Sequence, residues 1–404
     1  MSFEVRPCRD LTEYDGALMS IAQYFGNEPD PARAERFSRL LPVDRMHAAW
    51  EDGVVVGGAG AFPFKLSVPG GAVQCAGTTA VGVAPTHRRR GVLRSMMRAQ
   101  LDDAHERGEP LAALWASEEP IYRRFGYGIA GFAGEVEIPK EYVDFVEPRE
   151  RTGRLRIVER DEALEAFPPI WAALARDRPG VFTRTRDWWE LRTVVDPPER
   201  RDGAGPKRFV LLERDGVPAA YAIYRHKMDW EAGVSKGQLV VVEAIGAAPE
   251  AVAEIWRYLL DIDWVATINS WLLPLDHPLF FLLAHPRRMR YRCGDGLWVR
   301  LLDVGAALSG RTYPGDGELV FDVRDAFCEW NEGRWRLVDG IAERTDADAD
   351  LALDVSTLGA AYLGGIRFAQ LAQGGSVKEL KPGAIERADG IFRHGLHPWC
   401  QEIF

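Results

Sequence analysis

The chain of 404 residues predicts an α+β protein of three domains, two of them built from one repeated unit. Three observations predict this. A strand, an Asp-Gly turn and a second strand occur twice, around Asp52-Gly53 and around Asp215-Gly216. Each pair is followed by an apolar run ending at a proline, an amphipathic helix and one more short strand, so the order of elements repeats as well. From Leu297 onward the pattern changes to strands followed by short helices. The expected domains are therefore 1–148, 149–296 and 297–404, with Arg149 to Arg154 as a charged connector.

In the first unit, Ala48 to Trp50 and Val54 to Phe62 form the hairpin, and Cys75 to Ala84 is an apolar strand closed by Pro85. Gly91 to Gly108 reads as a helix: Leu93, Met97, Leu101 and Ala104 make one apolar stripe opposite Arg94, Arg98, Asp102 and Asp103. Gly108 and Pro110 end it. Leu111 to Ala116 is a short buried strand, and Glu135 to Ile138 alternates before Pro139. The second unit offers a hairpin over Phe209 to Tyr224, a strand over Gln238 to Ile245, a helix over Glu250 to Leu260 and a strand over Thr267 to Leu273. In the third domain, Leu297 to Leu302, Gly317 to Val323 and Gly333 to Leu337 read as strands, and Ser356 to Leu363 and Arg367 to Gln373 as helices. The last residues, Trp399 to Phe404, are apolar and aromatic, so this end is expected to dock into the fold instead of fraying.

Composition narrows the function. With 50 Lys and Arg against 60 Asp and Glu the formal charge is −10, which repels phosphate backbones and acidic headgroups and favours cationic partners. No nucleic acid or membrane partner is expected. No window reaches the ~18 apolar residues of a spanning helix, and the N-terminus lacks a signal pattern, so a cytoplasmic location is expected. Five cysteines without a C-x-x-C pair argue against a disulfide framework and a zinc ribbon.

The sharpest local feature runs from Val81 to Leu93, Val-Gly-Val-Ala-Pro-Thr-His-Arg-Arg-Arg-Gly-Val-Leu. A buried strand leaves through a proline turn, and the chain enters a helix through three arginines and a glycine. The unpaired N–H groups of a first helical turn and the positive end of its dipole attract anions. Gly91 admits a phosphate close to the backbone, and Arg88 and Arg89 add charge and donors. A pyrophosphate cradle is the expectation; a solvated basic turn is its alternative.

The run Arg88 to Leu93 resembles the acetyl-CoA pyrophosphate loop of the GCN5-related N-acetyltransferases (GNAT), [QR]-x-x-G-x-[GA], with Leu93 in place of the last small residue. Tyr122-Arg123-Arg124-Phe125-Gly126-Tyr127 resembles the Y-x-x-x-G-[FY] segment of the same superfamily. The Thr86-His87-Arg88-Arg89-Arg90-Gly91 run, the length and the terminal Phe are similar to the Eis-like (enhanced intracellular survival) acetyltransferases. This resemblance implies tandem GNAT folds, the second degenerate, a C-terminal sterol-carrier-protein-like α/β domain, acetyl-CoA as cosubstrate without a metal, and a hexamer. It further implies Tyr122 as general acid, the α-carboxylate of Phe404 as general base, and acetyl-CoA held by Val81, Val83, Arg88, Arg89, Gly91, Val92 and Ser117. For an amine acceptor it points to Tyr24, Phe25, Glu28, Phe37 and Glu402, whose aromatic faces and carboxylates suit a polyamine, an aminoglycoside or a Lys side chain. The corresponding turn of the second unit, Gly246-Ala247-Ala248-Pro249, has no arginine and is expected not to bind CoA.

Other motifs fail on context. Gly126 to Gly131 fits G-x-G-x-x-G but leads from a helix into a strand, the reverse of dinucleotide-binding order. Gly233 to Gly237 fits G-x-S-x-G but precedes a strand, which leaves a serine hydrolase poorly supported. Asp346, Asp348 and Asp350 begin like a calcium loop, yet Leu351 stands at the glycine position and Thr357 at the glutamate position. The competing function is a lipid or hydrophobic-ligand carrier using the third domain, with acetyl-CoA as regulator. It requires an open apolar tunnel there.

Overall fold

The computed structural model describes residues 3–24 and 31–404. Two seven-stranded sheets dominate it. The first runs from edge to edge through Glu4–Pro7, Met46–Glu51, Val54–Val68, Gly71–Val83, Leu111–Trp115, Leu297–Leu301 and Gly128–Ile129. The second runs through Arg154–Val158, Arg208–Arg214, Val217–Lys227, Gln238–Gly246, Thr267–Leu273, Phe132–Pro139 and Arg292–Asp295. Strand for strand, the two orders are the same. The helix Val92–Glu106 of the first unit corresponds to Pro249–Asp261 of the second, each following the long central strand.

The sixth strand of each sheet comes from the other unit. Phe132–Pro139 leaves the first unit and pairs antiparallel with Thr267–Leu273. Leu297–Leu301 returns and pairs antiparallel with Leu111–Trp115, from Leu297 opposite Trp115 to Leu301 opposite Leu111. The expected boundaries near 148 and 296 are thus crossed by two exchanged strands, and Leu297–Leu301 belongs to the first sheet instead of opening the third domain. All five of its residues are buried, because it lies between two other strands and under helix Val355–Ala361.

The third domain is a five-stranded sheet, Ile341–Arg344, Gly333–Val338, Leu319–Arg324, Leu351–Asp354 and Val377–Glu379, with helices Val304–Ser309, Val355–Ala361, Phe368–Gln373 and Ala384–Phe392. One continuous core joins it to the first unit: Leu66, Leu111 and Val299 pack in the same cluster as Leu308, Leu358 and Tyr362. A buried charge pair reinforces the joint. Arg300 is fully buried on the exchanged strand, donates to Asp325 at 2.7 Å and to the Phe125 carbonyl at 2.5 Å, and so ties the third domain to the segment that follows Tyr122. Among the described residues no helix is long and apolar enough to cross a membrane.

Candidate active site

The site begins with a break in the first sheet. Gly71–Val83 and Leu111–Trp115 pair in parallel only from Cys75 to Gly77 against Leu111 to Ala113, and then part. A bulge drives them apart: Ala80 has a φ of 53°, and the register against Val54–Val68 slips between Gly58 and Gly60. Backbone groups from Thr78 to Val83 therefore lack a strand partner on the side facing Leu114 and Trp115.

Below this gap lies a cleft of about 560 Å³. Val81, Val83, Arg88, Arg89, Gly91, Val92, Ser117 and Tyr122 all line it, so the structure brings together the residues that the motifs single out. The turn into helix Val92–Glu106 alternates left-handed residues, Arg89 at a φ of 60° and Gly91 at 93°. No side chain caps the first turn, whose N–H groups lack intrahelical partners and face incoming anions. A Cβ at Gly91 would meet nothing within 4 Å, so backbone conformation, not crowding, is what requires glycine there. Arg90 behaves differently from its neighbours. It turns to Glu51, at 2.5 and 3.0 Å, beside His87, which meets the same carboxylate at 2.9 Å. Hydrogen bonds from Arg90, and then His87, hold the Glu51 carboxyl below its ordinary range.

Tyr122 ends the short helix Glu119–Tyr122, which Pro120 helps to start. A 3₁₀ turn, Arg123–Phe125, and left-handed Gly126 follow. Tyr122 is 6% exposed and stands edge-on to Tyr127, whose hydroxyl meets Thr78 Oγ1 at 2.9 Å. Burial raises the Tyr127 hydroxyl well above its ordinary range, while Tyr122 opens to the cleft.

Strand alternation separates two faces. Ala61 points to the face holding Met97 and Tyr122. Phe62 and Phe64 point to the other, where they meet Phe37 and Trp188 edge-on at 5.1–5.5 Å. The chain end completes this second face. The Phe404 ring stands edge-on to Phe64 at 5.0 Å, Phe182 at 5.2 Å and Phe62 at 6.3 Å. Phe37 lies on the same face, one ring removed from the terminus through Phe62. Phe25 and Glu28 lie outside the described residues, and Tyr24 is the last residue of helix Leu11–Tyr24.

Glu402 is buried and ion-paired with Arg184, whose other guanidinium nitrogens grip Glu243 at 2.6 and 3.1 Å. Burial favours loss of the Arg184 proton, but Glu243 and Glu402 outweigh it and hold the group protonated well above its ordinary value. Arg192 donates to the Ile403 carbonyl at 2.6 Å and lies over Trp188. Phe62, Phe64, Phe182, Trp188 and Arg184 escaped sequence reasoning. The one available signal was the F-x-F alternation from Phe62 to Phe64, which reads as an ordinary core face.

Acetyltransferase (GNAT) domain models match residues 4–130 and 180–301, and a sterol carrier protein domain model matches residues 304–401. An N-acetyltransferase of Streptomyces avermitilis, itself uncharacterised, is 46% identical over 92% of this chain and 92% of its own. N-acetyltransferase Eis of Mycobacterium tuberculosis is 32% identical over 94% of each chain. The crystal structure of Eis1 from Mycobacterium abscessus superposes with a TM-score of 0.86 at 31% identity, covering 99% of this chain and 100% of that one. With two acetyltransferase-type units sharing strands, a sterol carrier domain behind them and full-length relatives of this kind, the chain belongs to the Eis-like N-acetyltransferases of the GNAT superfamily.

Proposed function

We propose that the protein moves the acetyl group of acetyl-CoA to primary amines of a small polycationic acceptor, aminoglycoside-like, polyamine or Lys, by direct attack. The observation that carries this reading is the cleft beside the parted strands, lined by the Arg88 to Val92 turn, Ser117 and Tyr122, with Phe404 packed on Phe62 and Phe64 at the opposite face of the sheet. The pyrophosphate would sit on the Arg88 to Val92 turn, and the pantetheine arm would pair with the free backbone edge near Val81 and Val83. The amine approaches from the Phe404 face. The terminal carboxylate takes a proton from the nitrogen as the C–N bond forms; the C–S bond breaks, and Tyr122 gives the departing thiolate its proton. Half-buried Phe37 offers a ring to a cation, which the net charge of −10 also attracts.

The lipid-carrier alternative has little support. The third domain's cleft of about 610 Å³ is lined by Arg123, Asp322, Arg324, Glu332, Asp354 and Lys378 among others, and so is charged where a lipid needs an apolar tunnel.

Acceptor-dependent CoA release, measured with a thiol reagent across aminoglycosides, polyamines and Lys peptides, tests the proposal. Tyr122→Phe is expected to lower kcat by about 10²-fold while the acetyl-CoA KM stays nearly constant. One residue added after Phe404 is expected to abolish turnover. An extended chain working at the wild-type rate would remove the carboxylate from the mechanism, and no release with any acceptor would remove the acceptor class.

A further inference from the structure

The repeat gives the second unit its own break between strands. Gln238–Gly246 and Thr267–Leu273 pair in parallel from Gln238 to Val241 against Thr267 to Ser270, and then part. Placing the last paired residues together, Gly77 on Val241, also brings Pro85 onto Pro249, so the gap occupies the same place in the fold. The cradle beside it is gone. No residue from Val242 to Glu250 is left-handed, the turn holds no arginine, and Glu250 in the first helical turn would repel an anion.

The chain's own end fills this gap. Buried Trp399 donates its indole N–H to the Leu272 carbonyl on one parted strand, and Gln401 donates its amide to the Val242 carbonyl on the other, at 3.0 Å. Leu272 has a φ of 56° where the register against Phe132–Pro139 slips, so the strand is already out of its ladder there. About 80 Å³ of free space is left, against about 560 Å³ in the first unit. The Trp399 backbone N–H donates to the Pro179 carbonyl at 2.9 Å, and upstream Asp276 accepts from the His397 backbone N–H at 3.0 Å. Gly180 lies so close that a Cβ would stand 2.8 Å from the Trp399 carbonyl oxygen.

We propose that the second unit's inter-strand gap is a receptor for the chain's own C-terminus, with Trp399 and Gln401 as positioning residues that hold the Phe404 carboxylate at the acceptor face of the first unit. This rests on the role given above to that carboxylate. Two residues separate Gln401 from Phe404, and the three steps between them span at most about 11 Å of extended chain, so the anchor restricts where the carboxylate can reach. The degenerate unit thereby contributes to the reaction without binding a cosubstrate of its own.

Two readouts on the full-length chain test this: release of Phe404 by carboxypeptidase A, followed by mass spectrometry, and steady-state kinetics. In Trp399→Ala and Gln401→Glu, Phe404 is expected to leave at least tenfold faster than in the wild type. The kcat is expected to fall at least tenfold with the acetyl-CoA KM within twofold, and Trp399→Phe, which keeps the ring, should recover part of both. Gly180→Ala pushes on the same segment from outside and serves if Trp399→Ala does not fold. Wild-type Phe404 release in both Gln401→Glu and Gly180→Ala would overturn the receptor. Faster release with undiminished turnover would support the receptor and overturn the carboxylate's catalytic role.

Discussion

Arg184→Met isolates the charge cluster that holds the tail. The Arg184 side chain is 1% exposed, bonds Glu402 through Nε and Glu243 through both terminal nitrogens, and stacks over Trp171 at 3.5 Å and Trp189 at 4.7 Å. Methionine replaces much of the stem, so the loss is electrostatic. Removing one partner of a buried ion pair costs about 3–5 kcal/mol, and the lost cation–π stack adds up to about 2 kcal/mol. Taking the ion-pair term alone at about 2–4 °C per kcal/mol gives a fall in Tm of roughly 6–20 °C. Glu243 and Glu402 would then share a dry site without the cation that bonds both. Scanning calorimetry should show this fall, and Arg184→Met with Glu243→Gln should regain part of it. A Tm change under 2 °C, or no recovery in the double variant, would refute this account of the cluster.

Three further outcomes are expected. Gly91→Ala places a side chain at a φ of 93°, at a cost of roughly 1–2 kcal/mol, and should raise the acetyl-CoA KM by about fivefold to tenfold with kcat little changed. Burial pushes His277 down to about 3; between pH 6.5 and 3 the unfolded chain binds a proton that the fold does not. Stability should therefore fall by about 1.4 kcal/mol per pH unit in that window, about 2 kcal/mol by pH 5, and denaturation of His277→Gln should show a shallower slope. Arg300→Leu strands buried Asp325 and should cost about 3–5 kcal/mol in calorimetry, part of it recovered when Asp325→Asn, which keeps an acceptor for the Phe327 and Cys328 N–H groups, is added.

The parts of the site that are local in sequence were legible in it. Arg88 to Val92 is a continuous turn and helix start, and Tyr122 to Gly126 a continuous helix end, so their geometry follows from neighbouring residues. Partnerships across long separations were not legible. Leu297 to Leu301 reads as the same apolar strand whichever sheet receives it, and its place beside Leu111–Trp115 is decided only when the two units pack. Arg184 looks like any solvated arginine until Glu243 and Glu402, 59 and 218 positions away, close on it. Glu402 is the same lesson reversed: a carboxylate near the chain end, expected at the acceptor pocket, is taken up by a buried arginine.

The exchanged strands also set a timetable. The first unit's sheet stays incomplete until residue 301 has been made, although its other strands end at 129. At roughly 5–20 residues per second, the interval is on the order of ten to thirty seconds of synthesis. Through that interval Leu111–Trp115 waits with an unpaired edge, and a nascent chain cut short at the first unit never closes it. A gene fragment encoding that unit alone would therefore lack one of its own inner strands. The second unit, whose corresponding turn holds no arginine, still supplies a strand without which the first unit's sheet is incomplete.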